Sequence, residues 1–485
     1  MPHSEKPHHR HLFLVGLLST IWFILRTGTK PSRAHYPCQR VARLNSEIWL
    51  SSLFLPLLSI RTEKLRKHRT TLAIAAILIV GSLGYYTYTK FSIQPIDTSN
   101  TTLVLNENQA SITPASDIYI VQGSSESQSE VEDLIQIMGE NDLKFYLSDT
   151  VGGTKGPDGM IASTDVVLIK INCQWSQRGG INTDLLMSLI EAIVDHPDGF
   201  NGEIVVADNG QAQYGSAGEG GSMNWDQNNG EDKGKSVQDV VDSFSSTPVS
   251  AYLWDTITTN EVEEYSTGDM EDGYILLDDV DLDTGLQVSY PKFRTSHGTY
   301  ISFKQGIWNP ERGEYDGDKL KVINVPVLKS HSIYGVTACV KHYMGVPSDK
   351  LTARLGHRTH NTIGDGGMGT LMVETRYPTL NILDAIWVNA NPLGASRGPS
   401  TSYDSATRLN IILASTDPVA LDFWASKHLL CEAAPEGSDT ATMNPESQSN
   451  SFGKYLRLSM EQLVDAGYQV TMNEDQMNIH IMEKG

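Results

Sequence analysis

The sequence predicts an α/β protein: a mostly parallel sheet flanked by helices, preceded by a membrane anchor. Three observations predict it. VVLIKIN (166–172) and EIVVAD (203–208) are short, continuous apolar runs, as expected of strands covered on both faces. Between them Leu185, Leu186, Leu189, Ile190, Ile193 and Val194 recur at helical spacing after Thr183. Strand, helix and strand in so short a stretch form a parallel crossover unit. The third observation is an uncharged run at 71–88, about the length that a bilayer requires.

The elements follow in chain order. Residues 1–90 form a basic head with three apolar runs, at 12–25, 48–60 and 71–88. The first two are short and read as interfacial or re-entrant segments. The third is the spanning helix, with Tyr85, Tyr86 and Tyr88 at its C-terminal end, where amphipathic rings favour the interface. The basic run RTEKLRKHR (61–69) precedes it, so the positive-inside rule places that run in the cytoplasm and the rest of the chain outside. This predicts a single-pass anchor, with membrane lipid as the partner of the head. The polar stretch 91–116 reads as a linker, and 117–485 as the α/β domain with an acidic insert over about 211–320.

Within that domain IYIV (118–121) reads as a strand, and Val131, Leu134, Ile135 and Met138 mark a helix over 129–141. Residues 211–235, rich in Gly, Asn, Gln and Ser, read as a surface loop, and 236–244 as a short helix. The stretch 261–290 reads as a solvated acidic loop; Asp278, Asp279, Asp281 and Asp283 resemble a calcium loop only loosely. KVINVPVLK (321–329) is a further strand and GVTACVKHYMGVP (335–347) a helix. Strands follow at 379–389 and 408–416, then a helix at 417–430 with Asp417 as N-cap and Pro418 in its first turn. A last helix covers 459–468.

Charge separates head from body. The head holds thirteen Lys/Arg against three acids, a net +10; the rest holds 24 bases and 55 acids, a net −31. So acidic a body excludes nucleic acid as a partner, because phosphates need a basic face. Four cysteines exclude a disulfide scaffold, and none forms Cys-x-x-Cys, so there is no local iron–sulfur motif. Walker, dinucleotide-fingerprint, zinc-helix and nucleophile-elbow motifs are all missing.

In open α/β sheets ligands bind beyond the carboxyl ends of the strands. Polar residues there are Lys170 and Asn172, Asp208, and Lys329 and His331, with Lys341 in the next predicted helix. A lysine ending an apolar strand is costly unless it meets an anion. Lys170, Lys329, His331 and Lys341 are therefore the catalytic candidates, converging on a small phosphate or carboxylate ligand. Asn172, Asp208 and Gly345 are the substrate-binding candidates. The competing arrangement pairs these lysines with Asp208, Asp384 and Asp422 in a buried structural network. A divalent metal is the candidate cofactor; His357 and His360 could contribute to it or lie in a polar loop. Cys173 and Cys339 could be reactive thiols or small buried hydrophobes.

The blocks IKIN (169–172), PVLKSH (326–331), VTACVKHYMG (336–345) and DPVALD (417–422) resemble, in order and spacing, the domain-of-unknown-function family 362. The resemblance spans roughly 117–470, and 326–345 is its most specific part. It implies roles for Lys170, Asn172, Lys329, His331, Lys341, Gly345, Asp417 and Asp422. His342 stands where the family carries Asn, and the ferredoxin-like cluster motif of many members is missing here.

Three functions are carried forward. The first is a membrane-tethered enzyme acting outside the cytoplasm on a small anionic substrate. The second is a non-catalytic surface binding or assembly protein, which requires every strand-end lysine to be internally salt-bridged. The third is a redox-linked protein without its own cluster.

Overall fold

The computed structural model describes residues 116–123, 130–210, 223–392 and 400–483. The expected anchor at 71–88, its flanking runs at 12–25, 48–60 and 61–69, and the linker up to residue 115 lie outside them. No helix of the described residues is long and apolar enough to cross a membrane.

The chain enters through β1 (Ser116–Gln122) and helix α1 (Glu130–Glu140). Three two-residue strands, β2 (Tyr146–Leu147), β3 (Lys155–Gly156) and β4 (Ile161–Ala162), form a small separate sheet. Then come β5 (Val166–Ile171), α2 (Thr183–Val194), β6 (Glu203–Asp208), α3 (Val237–Asp242) and β7 (Val249–Leu253). This is the crossover unit read from the sequence, extended by one repeat. Asn182 caps α2 by accepting from the Asp184 and Leu185 amides, and Ser236 caps α3 in a capping box with Asp239.

A second sheet follows: β8 (Gly273–Val280), β9 (Gln287–Arg294), β10 (Tyr300–Ser302), β11 (Gly306–Asn309) and β12 (Glu314–Asp316), an antiparallel meander. The sequence reading had an acidic loop over 261–290, and this corrects it. The first residues of β8, Gly273, Tyr274 and Ile275, are buried, whereas Asp278 and Asp279 at its far end are exposed. Asp278 and Asp279 thus decorate a strand, while the acids of 261–272 do lie in largely irregular backbone. Asp281 closes the hairpin by accepting from the Asp283 and Thr284 amides.

The chain returns to the main sheet through β13 (Leu320–Val325), β14 (Val327–His331) and β15 (Gly335–Thr337). The expected single strand 321–329 is therefore two, parted at Pro326. Proline has no N–H for a ladder; here its carbonyl still accepts from the Asp384 amide. The expected helix over 335–347 is smaller: α4 (Cys339–His342) and a 3-10 turn, Tyr343–Gly345, follow strand β15. Short helices α5 (Asp349–Arg354) and α6 (Thr359–Thr362) lead to α7 (Gly367–Glu374). Then come β16 (Leu380–Asn389), β17 (Thr407–Ser415), α8 (Pro418–Ala425), α9 (Ser451–Asp465) and β18 (Met477–Glu483). The helix expected over 417–430 passes into a π turn at Ser426–Leu430, and α9 starts eight residues before its expected position.

The main sheet runs β18-β1-β17-β16-β13-β5-β6-β7. Most neighbours are parallel, but β17 is antiparallel to both β16 and β1. Parallel neighbours need a crossover, usually a helix. Among the described residues between β16 and β17 there is only the 3-10 turn Tyr403–Ser405, so the chain turns back antiparallel. Both faces of the sheet are covered. Val166 and Leu168 enter one apolar core with residues of α7, α8, α9 and the meander; Val167, Ile169 and Ile171 enter another with α1, α2 and α3. From β5 the chain winds outward to β6 and β7; from β13 it winds the other way to β16 and β17. The boundary between β5 and β13 is therefore a topological switch point, where the strand ends diverge and leave a crevice.

Candidate functional site

A cavity of about 430 Å³ lies at this switch point. All seven residues singled out from the sequence line it: Lys170, Asn172, Asp208, Lys329, His331, Lys341 and Gly345. β5 and β6 deliver Lys170 and Asp208, β14 delivers Lys329 and His331, and α4 with its 3-10 turn brings Lys341 and Gly345 over the strand ends.

Lys170 is fully buried and already balanced. Its Nζ lies 2.8 Å from Asp208 Oδ1, and Asp208 Oδ2 accepts from the Cys173 amide. Burial lowers its pKa and the Asp208 charge opposes that fall. Lys170 Nζ also lies 3.1 Å from His342 Nε2. Asn324 donates through Nδ2 to the Cys339 carbonyl and to Asn381, so its Oδ1 is the acceptor for His342 Nδ1–H. Its Nε2 lies between the Ile171 carbonyl, at 2.9 Å, and the Lys170 ammonium. The histidine at the family's Asn position thus buttresses the Lys170–Asp208 pair. Of the competing structural network, this is the part that exists.

Lys329 is also fully buried, but its acceptors are neutral: Asn172 Oδ1 at 3.0 Å and the Gly179 carbonyl. Burial, and then the charge of Lys341, push its pKa down to about 7. Lys341 is 7% exposed, and no acceptor engages its Nζ among the described residues. Its closest aromatic neighbour is the Tyr334 ring, 6.0 Å away. Burial alone brings its pKa down to about 8.

His331 Nδ1 accepts from the amides of Ile333 and Tyr334. Burial and the Lys341 charge push its pKa far down, so the ring is neutral and carries its proton on Nε2. His360 packs 6.1 Å from it, centroid to centroid, with a pKa lowered by burial to about 4. At the rim Arg358 donates through Nε to Asp349 Oδ2 at 3.1 Å, with its side chain 63% exposed. Its terminal nitrogens engage no other side chain or carbonyl among the described residues.

The three remaining acids singled out from the sequence, Asp384, Asp417 and Asp422, serve the fold. Asp384 accepts from the Asn182 and Ile386 amides, and burial raises its pKa to about 6. Asp422 accepts from the Cys339 and Val340 amides, and burial raises its pKa to about 7. Asp417 caps α8, as expected. Burial lifts the Cys173 and Cys339 thiols well above their usual range, as for small buried hydrophobes.

A hard divalent cation does not suit this lining. The two lining carboxylates, Asp208 and Asp349, are held by Lys170 and Arg358, and no group of three or more His, Cys, Asp or Glu side chains is placed to hold a metal among the described residues. His360 lines the cavity but His357 does not. Arg358, Asp349 and Asn209 are lining residues that sequence reasoning missed. Asn209 follows Asp208 at a strand end and was within reach of the strand-end rule; Arg358 and Asp349 reach the site only through the packing of α5 and α6.

No curated protein and no solved structure matches the chain. Residues 318–427 match the family model described as Domain of unknown function (DUF362), a narrower stretch than 117–470. Over that stretch, which holds Lys329, His331, Lys341 and Gly345, the chain carries the DUF362 pattern.

Proposed function

We propose that the cavity binds and transforms a small anion carrying a carboxylate or phosphate. One observation carries this reading: Lys341 is more than nine-tenths buried, faces the cavity and has no acceptor among the described residues. An ammonium that opens only into a cavity, with no protein acceptor, is placed to meet an anionic ligand there. Lys329 adds a second cation with neutral partners, and Arg358 presents a planar fork at the mouth. A purely structural role would pair every lysine of the cavity internally; of Lys170, Lys329 and Lys341, only Lys170 has a carboxylate within ion-pair distance among the described residues.

The test is calorimetry with inorganic phosphate and with small carboxylates at low salt. The wild type should bind at least one of them, and Lys341→Met should bind about tenfold more weakly or worse. Equal affinity in the two proteins would remove Lys341 from the account. We also read the basic head as a single-pass anchor that displays the α/β body outside the cytoplasm, on the basic run 61–69 and the uncharged run 71–88.

A further inference from the structure

We propose that Lys341 is an imine-forming nucleophile for a small 2-oxo carboxylate, with His331 hydrogen-bonding the substrate's carbonyl oxygen. The proposal rests on the anion-site reading and names its substrate class.

Three lysines reach the cavity, and their partners separate their roles. Lys170 is locked to Asp208, so its proton is held by a carboxylate. Lys329 donates to Asn172 Oδ1 and the Gly179 carbonyl, which also favour the protonated form. Lys341 has no acceptor to hold a proton. Its amine is therefore the one whose lone pair is available, in the cavity beside Lys329. Burial lowers the pKa of Lys329 and Lys341 alike, so it is the acceptors and not the titration that separate the two.

The second observation is independent. Two backbone amides point at His331 Nδ1, which fixes the neutral tautomer with the proton on Nε2. Nε2 has no protein partner among the described residues, and the ring lines the same cavity. A neutral, oriented imidazole N–H is a donor for a carbonyl oxygen that gains charge during attack. To a carboxylate or phosphate such a neutral donor offers a weaker bond than a cation does. A ligand with both a carboxylate and an adjacent carbonyl uses the whole set: Lys329 and Arg358 for the carboxylate, Lys341 and His331 for the carbonyl.

The chemistry balances without a co-reactant. The Lys341 Nζ lone pair attacks the carbonyl carbon and forms a C–N bond, while the C=O π pair moves to oxygen against His331 Nε2–H. The proton lost from nitrogen passes to that oxygen and gives a carbinolamine. The nitrogen lone pair then closes the C=N bond as the C–O bond breaks, and the hydroxyl leaves as water by taking the second proton from that nitrogen. One amine and one ketone become one imine and one water.

The experiment is borohydride trapping on the full chain with pyruvate as the probe, read by peptide mapping. A single reduced adduct on Lys341 is expected, suppressed by excess inorganic phosphate and missing without borohydride. Lys341→Arg keeps the cation and should form no adduct while its urea midpoint stays near that of the wild type, which guards against a folding artefact. His331→Gln should slow adduct formation by about a hundredfold with little change in urea midpoint. Adducts spread over surface lysines, or an adduct surviving in Lys341→Arg, would overturn the proposal. Phosphate binding by the wild type with no Lys341 adduct would sink the imine alone and leave the anion site standing; loss of both would sink both.

Discussion

Gly345 shows how tightly the site is built. A Cβ at this position would sit 2.4 Å from Asp208 Oδ1 and 2.5 Å from Lys170 Nζ, so the buried ion pair fits only because there is no side chain. Gly345→Ala should force the pair apart and cost on the order of 1–3 kcal/mol, seen as a shift in urea midpoint with an unchanged slope. Titration offers a second residue-scale outcome. Lys329 and Lys341 have folded pKa values of about 7 and about 8, below the ordinary lysine value. Between those values and that of a free lysine, the unfolded chain holds more protons. Stability should therefore rise with pH from about 7 to about 10 through these two groups. Asp384, Asp417 and Asp422 act in the opposite sense, since their folded values of about 6, about 6 and about 7 lie above those of free carboxylates. Folded protein then holds the extra protons, and stability falls as pH rises from about 4 to about 7. Melting temperature against pH should thus dip near neutrality, and Lys341→Met should flatten the alkaline limb. A binding anion that restores the proton to Lys341 should also take up protons at pH 8, measurable by calorimetry in buffers of different ionisation enthalpy.

At the scale of elements, the position of Lys341 depends on a helix of only four residues. α4 is too short to hold itself. Its first amides, those of Cys339 and Val340, donate to the Asp422 carboxylate, which comes from α8. Tertiary hydrogen bonding thus replaces the local cap that the sequence lacks. Asp422→Ala leaves two buried N–H groups without acceptors and should cost about 2–5 kcal/mol, read as lost chemical-denaturation stability. Asp422→Asn should cost less, because one amide can still be met. Lys341 would be displaced in either variant, so phosphate affinity should fall with stability. The meander teaches the converse. Asp281 was read as part of an acidic stretch, yet it accepts from the amides of Asp283 and Thr284 at the β8–β9 turn. Asp281→Ala should destabilise by about 1 kcal/mol and leave phosphate binding alone, which equilibrium unfolding and calorimetry together would show.

At the scale of the molecule, the charge division between a +10 head and a −31 remainder makes the site a small cationic pocket within a strongly acidic body. In right-side-out vesicles carrying the full chain, protease added outside should digest the body and spare the 61–69 run; protection of the body would reverse the assignment. The elements that build the switch point were legible because their signals are local. Continuous apolar strands at 166–171 and 203–208, the α2 stripe and the Asp417-Pro418 start of α8 each state their own conformation. The meander was hidden because β8 buries one end and exposes the other instead of alternating strictly. The 335–345 segment was misread because Gly335, at a φ of 76°, starts a strand that only its pairing with β14 reveals.

The sequence by itself determined the alternation of strand and helix and put Lys170, Lys329, His331 and Lys341 in or just after the strands that reach one end of the sheet. Periodicity and strand ends are properties of neighbours in the chain. Only the tertiary structure decided what each lysine does. Their protonation and reactivity depend on the partners that burial leaves them: Asp208 for Lys170, neutral oxygens for Lys329, and no acceptor among the described residues for Lys341. Those partners come from segments dozens to more than a hundred residues away, and no spacing along the chain encodes which of them arrive.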